Sequence, residues 1–357
     1  MDALHTELSL AVEGQREALA RAVVSCQYLH APDLWHRYGE RERKRSIRSA
    51  DAHLRHLAQS VAVSCPALFR DYVSWSRLNL SSYGVPERDL RSQLDCVREV
   101  LHHSLPKRMH PSLRPYLKAA RSCLQEPGPD DSCFLTDGSS LAATARQYLD
   151  LLLKRDRTSA RQLILDTLEQ GAQVADVYRE IFEPTQREIG RLWQTNQLSI
   201  AEEHYTTAVT QFIMAELYPH IVQHARNGHV VVGACLGGDL HEIGLRMVLD
   251  FLEMKGWDSH YLGGHLPLDE VIGAVRRHEA DLLTVSVTMT YHLDAVTSLI
   301  RQLRADPTTA HVRVMVGGRP FNVDPTLWTV VGADGYATDA DHAVEVAQSL
   351  FHSSSLS

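Results

Sequence analysis

No uninterrupted apolar run in the 357 residues is long enough to cross a bilayer, and the first fifteen carry Asp2, Glu7 and Glu13. Neither a membrane span nor a secretory leader is therefore expected, and the chain reads as cytoplasmic. An excess of positive charge is also missing. With 36 Lys and Arg against 44 Asp and Glu, the formal net charge is -8 at pH 7, the wrong sign for a protein that binds nucleic acid by neutralising phosphates. The one basic run, Arg41 to Arg48, is interrupted by Glu42 and reads as a solvated helix face. The six cysteines form no CxxC and no close pairing, which argues against a zinc ribbon or a disulfide scaffold and for reduced thiols. Among the 20 histidines there is no HExxH, so their number alone implies no metal.

What is present falls into three textures. Residues 1–126 are helix after helix, with apolar residues at three- and four-residue spacing in Leu54, Leu57, Val61 and again in Leu90, Leu94, Val97, Leu101. The breaks are Pro66, Gly84 with Pro86, and Pro106. A linker over 127–138 follows, opened by the acidic Pro-Gly stretch around Pro127 and Pro129. The segment 139–226 carries four helical patterns, near 139–154, 158–171, 174–193 and 199–223, with short breaks that imply a four-helix bundle. Pro184 inside the third pattern predicts a kink or two shorter helices. From 227 to 352 short β-branched runs alternate with amphipathic windows: strands near 229–234, 261–262, 282–287, 312–316 and 335–336, the first followed by a helix over 241–255. That alternation predicts an α/β domain, a Rossmann-like (flavodoxin-like) parallel sheet covered on both faces, whose ligands sit beyond the carboxyl ends of the strands. Residues 353–357 read as a tail.

Asp239-Leu240-His241-Glu242-Ile243-Gly244 stands just past the first predicted strand. A neutral imidazole ligates first-row transition metals, and a carboxylate two residues earlier can take the proton of its other nitrogen. Gly244 is followed after 41 residues by Ser286-Val287-Thr288 and, 28 residues later, by Gly317-Gly318. Six fixed residue types in this register agree by chance in about one start in ten million. The order and spacing resemble the cobalamin-binding domain of methionine synthase, corrinoid methyl carriers, carbon-skeleton mutases and cobalamin photoreceptors, over residues 228–352. The resemblance implies that His241 is the lower axial ligand of cobalt, supported by Asp239. It further implies that Gly244 lets the cobalamin's nucleotide tail pass, that Ser286 and Thr288 bond it, and that Gly317 and Gly318 leave it room. Thr288 stands where the family also uses Leu.

Upstream, Trp193, nine intervening residues, then Glu203-His204 resembles the signature of the cobalamin-dependent light-sensing repressors. There the bundle caps the upper cobalt face, the Trp shields the adenosyl group of adenosylcobalamin and the Glu bonds its ribose. An indole wall and a two-oxygen acceptor suit those tasks. The repressors follow their Trp with a cobalt-capturing His, and this chain has Gln194, so a light product with histidine on both faces would need His204 or His265.

The helical N-terminal region lacks the repressors' winged helix, so direct DNA binding is not expected. Its Asp71-Tyr72-Val73-Ser74-Trp75 and Tyr83-Gly84-Val85-Pro86 segments resemble photocobilins, which implies biliverdin beside this region. Trp35, Tyr72, Trp75 and Tyr83 are candidates for stacking, Arg37 or Arg41 for propionates, and Cys26, Cys65, Cys96 or Cys123 for linkage. These resemblances make the expectation a cobalamin light sensor, a homo-oligomer that signals through oligomer state or a separate downstream partner. The alternative is a corrinoid methyl carrier of a methyltransferase system, which shares the cap and the cobalamin domain.

Overall fold

The computed structural model describes residues 3–128, 131–221 and 225–352. The expected tail at 353–357 and the linker residues Pro129 and Asp130 lie outside the described residues. The chain divides into two units. One joins Met1–Pro129 with Thr288–Thr297 and Arg319–Gly332, and the other joins Asp130–Val287, Ser298–Gly318 and Ala333–Ser357.

The first unit is built on helices Ala3–Glu13, Arg16–His30, Leu34–Ala62, Pro66–Ser82, Glu87–Ser104 and His110–Cys123. Its core holds the periodic residues Leu54, Leu57, Val61, Leu90, Leu94, Val97 and Leu101, all buried, as helical spacing requires of one apolar stripe. Pro66 opens a helix rather than breaking one, since its missing N–H falls among donors that have no intrahelical acceptor.

In the second unit, helices Ala142–Leu153, Arg157–Glu169 and Ile200–Ile221 pack with a continuous helical stretch from Val174 to Gln194. The kink expected at Pro184 takes a particular form there. A π-helical turn, Tyr178–Phe182, interrupts the stretch, and α geometry resumes at Glu183 with Pro184 in its first turn. The wide turn places the proline where an N–H is not needed.

Five parallel strands follow, β1 Val230–Cys235, β2 Asp258–Tyr261, β3 Leu282–Ser286, β4 Arg313–Gly317 and β5 Gly335–Ala337, in the order β2-β1-β3-β4-β5. The α/β reading holds, strand by strand, to within a few residues. Helix Ile243–Glu253 lies close on β1. A Cβ on Gly233 would stand 2.6 Å from Leu249 Cδ1 and 2.9 Å from Thr284 Oγ1, so glycine lets both side chains seat against the strand without shifting. One core runs from the bundle into the sheet domain, through Tyr148, Tyr178, Phe182, Ile213, Leu217, Phe251, Val231 and Leu282. The second unit therefore buries its bundle and its sheet together.

Candidate corrinoid site

Strand order reverses between β1 and β3, and the registers Cys235↔Ser286 and Ser286↔Gly317 bring the carboxyl ends of β1, β3 and β4 side by side. Such a switch point opens a crevice for ligands. The sequence motifs meet here. The helix after β1 begins at Ile243, two residues later than expected, so His241 sits in the loop rather than in the helix.

Asp239 is 3% exposed, and its Oδ1 accepts both the His241 ring Nδ1–H at 2.6 Å and the His241 backbone N–H at 3.1 Å. The His241 side chain is 59% exposed. With Nδ1 engaged, Nε2 is the ring nitrogen left to ligate. The bond to Asp239 raises the imidazole's pKa above its usual value against the opposing effect of burial, and the charges of Asp239 and of Glu203 add to the rise. A cap residue thus acts electrically on the loop after β1.

Ser286 ends β3 half-buried, and Thr288 follows two residues on, also half-buried. A Cβ on Gly244 would meet nothing within 4 Å, whereas one on Gly317 would come within 3.3 Å of the Ala337 carbonyl oxygen. Gly318 is demanded by the backbone itself: its φ is +102°, and a Cβ would overlap the Val287 carbonyl oxygen. The donor chemistry, a carboxylate-steered imidazole beside hydroxyls and an unobstructed Gly244, fits a corrinoid with its nucleotide tail.

In the bundle, Trp193 stands half-buried next to the end of helix Glu183–Gln194; it is not a core residue. Glu203 accepts Thr207 Oγ1 at 3.1 Å and pairs with His204 Nδ1 at 2.5 Å, and His204 is exposed. One residue of the site, Glu242, was given no role from sequence, whereas His265 was named there only as a substitute cobalt ligand. Glu242 accepts the Tyr261 hydroxyl at 2.9 Å and the Gly264 N–H at 3.1 Å, tying the His241 loop to the loop after β2. His265 has a positive φ of +61°, and its Nδ1 lies 3.0 Å from where a Cβ on Gly238 would stand. Only its residue type, enriched at positive φ, hinted at that conformation.

In the helical unit the candidate bilin residues are divided among other partners. Tyr72 stacks on His56 with 3.7 Å between ring centroids and shares a 2.9 Å hydrogen bond with His53 Nδ1. Trp35 meets Tyr28 edge to face at 4.8 Å, Tyr83 is exposed and Trp75 half-buried. Arg37 is engaged by Asp33 at 2.9 Å and by both oxygens of Asp89, at 2.7 and 3.0 Å, which leaves it ill suited to a propionate. The six cysteines are free thiols, and the fold brings two of them, Cys26 and Cys96, 70 residues apart in sequence, to within 2.8 Å sulfur to sulfur. Cys65 Sγ donates to Asp324 at 3.2 Å.

Comparison with known proteins identifies the domains that carry these residues. Residues 229–345 match the model of the B12 binding domain, and residues 144–218 match a second model of the same description. Dimethylamine corrinoid protein 3 of Methanosarcina mazei is 32% identical over 122 residues, 34% of this chain and 71% of that protein. Dimethylamine corrinoid protein 3 of Methanosarcina acetivorans is 33% identical over 122 residues, and the chain spans 56% of its length. The monomethylamine corrinoid protein of Methanosarcina barkeri superposes with a TM-score of 0.53 at 20% identity, covering 59% of this chain and all of that one, a likeness of fold. Among the described residues no helix is long and apolar enough to cross a membrane. The chain belongs to the family of B12-binding corrinoid proteins.

Proposed function

We propose that the chain is a corrinoid carrier in which His241 would hold the cobalt through its ring nitrogen and the helical cap over 139–226 would govern access to the bound corrinoid. The observation that carries the reading is the Asp239–His241 pair at the β1/β3 switch point, with Glu203 of the cap acting on the same imidazole. When bound, the corrinoid supplies a cobalt–carbon bond that can be made and broken. The residues around it do the remaining work. Asp239 fixes the His241 tautomer and its ring orientation, which raises the basicity of Nε2. Ser286 and Thr288 offer hydroxyls to the nucleotide tail, and Gly244 leaves its path open, while Gly317 and Gly318 let the end of β4 close against Ala337 and Val287.

The named relatives, methylamine corrinoid proteins, support the role of methyl carrier served by a separate methyltransferase partner. A second reading, light sensing through adenosylcobalamin, is favoured by Trp193 and Glu203. A half-buried indole and a carboxylate in the field of His241 suit an adenosyl group better than a methyl group, the indole as an apolar wall and the carboxylate as an acceptor for ribose hydroxyls. Biliverdin beside the first unit and assembly as a homo-oligomer belong to this second reading.

The test is reconstitution in the dark with methylcobalamin or adenosylcobalamin, desalting, and absorption spectra before and after illumination, with size-exclusion chromatography in parallel. Colourless protein after desalting removes the corrinoid site. Retention of methylcobalamin with methyl transfer to a thiol acceptor by an added methyltransferase establishes the carrier. Preferential retention of adenosylcobalamin, with a light-driven change of oligomer that Trp193→Ala abolishes, establishes the sensor.

A further inference from the structure

Cys26 lies on helix Arg16–His30 and Cys96 on helix Glu87–Ser104, and their sulfurs stand 2.8 Å apart. His30, one turn after Cys26, directs Nδ1 at both, 3.7 Å from Cys26 Sγ and 3.8 Å from Cys96 Sγ. On the far side of the same ring, Nε2 is 4.0 Å from the carboxylate of Glu99, which stands three residues after Cys96. Spacings of four and three residues put each pair on one face of its helix. Two helices thus offer facing Cys-x3-His and Cys-x2-Glu pairs. Among the described residues, this is the one group of three or more potential ligand atoms gathered closely enough to hold a metal ion.

We propose that Cys26, His30 and Cys96 bind a zinc ion, with Glu99 orienting the imidazole from its outer nitrogen and solvent completing the shell at the exposed His30 edge. Two thiolates and an imidazole are a donor set that zinc favours, and a carboxylate behind the ligating histidine is its common companion. Tetrahedral zinc with sulfur at ~2.3 Å sets two thiolates roughly 3.8 Å apart, so the sulfurs must separate by about 1 Å, a motion open to the half-buried Cys26. Binding releases one proton from each thiol to solvent. A disulfide is the competing use of two neighbouring thiols, but both cysteines are free, and a disulfide has no need of an imidazole aimed at both sulfurs. The zinc would clamp the second helix of the unit to the fifth. Nothing in the proposal depends on the corrinoid.

The experiment uses the full chain, reduced, freed of metal with a chelator and free of corrinoid. Titration with cobalt(II) is expected to give thiolate charge-transfer bands saturating at one equivalent. Cys26→Ser and Cys96→Ser should abolish these bands, while His30→Ala and Glu99→Gln should weaken binding at least tenfold. His241→Ala should leave them unchanged. In the unsubstituted chain, zinc should slow alkylation of Cys26 and Cys96, mapped by mass spectrometry, so the result does not depend on any variant folding. Absence of thiolate bands together with unprotected alkylation would overturn the proposal. So would a Cys26–Cys96 crosslink that forms in air equally fast with and without zinc.

Discussion

A single oxygen of Asp239 receives both the ring Nδ1–H and the backbone N–H of His241, at 2.6 and 3.1 Å. One buried carboxylate therefore sets the loop's backbone and the orientation of the imidazole together. Asp239→Ala leaves His241 in place but frees its ring and exchanges a strong acceptor for none. The expected outcome is a 10- to 100-fold loss of corrinoid affinity, the usual range for removing a ligand's support, measured by absorbance titration. His241→Ala should also remove the imidazole-ligated spectrum from whatever corrinoid remains bound.

The glycines of the motif should separate by mechanism. Gly318 has φ +102° and no room for a Cβ against the Val287 carbonyl, so Gly318→Ala should destabilise the apo chain by about 1–3 kcal/mol or more, through backbone strain. Gly244 has open space at its Cβ position. Gly244→Ala should leave the apo melting temperature essentially unchanged while weakening corrinoid binding, because the added methyl group enters the path assigned to the nucleotide tail. Thermal melts with and without cobalamin check both.

The alternation of β-branched runs with amphipathic windows placed β1, β3 and β4 well, because these central strands are buried on both faces and rich in Val and Leu; the edge strands β2 and β5, Asp258–Tyr261 and Gly335–Ala337, carry no such run and were marked only by their place between helical windows. The Asp239–His241 contact was legible because both partners lie on one short loop. Contacts between distant segments were not. Nothing in the spacing of Cys26 and Cys96 announces that their helices pair, and Glu242 gave no sign that its partners would be Tyr261 and Gly264. The π-helical turn ahead of Pro184 was legible only as a disturbance, since a proline marks where a donor is missing but not how the chain will widen to do without it.

Acid should loosen the first unit. Burial holds the His53 imidazole down at about 4, opposed by its bond to Gln93, and holds His56 at about 3, with the charges of His53, Arg55 and His292 acting in the same direction. Above pH 6.5 these rings are neutral both folded and unfolded. Between 6.5 and about 4 the unfolded chain takes up protons that the folded chain refuses, so stability falls as pH falls, by on the order of 3 kcal/mol per ring. His56→Phe, which keeps a ring for Tyr72 to stack on and removes the buried, unpartnered Nδ1, should flatten that slope. Denaturant midpoints followed from pH 7 to pH 4 give the measurement.

Tyr178 and Asp250 should show the opposite dependence in the second unit. The Tyr178 hydroxyl donates to Asp250 Oδ2 at 2.7 Å, joining the π-helical turn of the cap to the helix that follows the His241 loop. Burial raises the Asp250 carboxyl to about 6, while the Tyr178 bond and Arg246 pull it down. Below about 3.8 the group is protonated in both states; between 3.8 and 6 the unfolded chain has lost the proton while the folded chain keeps it, so this contribution to stability declines as pH rises through 6. Tyr178→Phe removes a donor to the ionised form and pushes the carboxyl higher still. Its cost should be about 1–3 kcal/mol at pH 8, where the carboxylate is left short of a partner, and clearly less at pH 5. Asp250→Asn should be nearly independent of pH. Because this bond fixes the cap against the corrinoid domain, Tyr178→Phe should also weaken corrinoid retention at pH 8, and a variant that loses stability while retaining corrinoid as well as the parent would show that the cap is held by its apolar core alone.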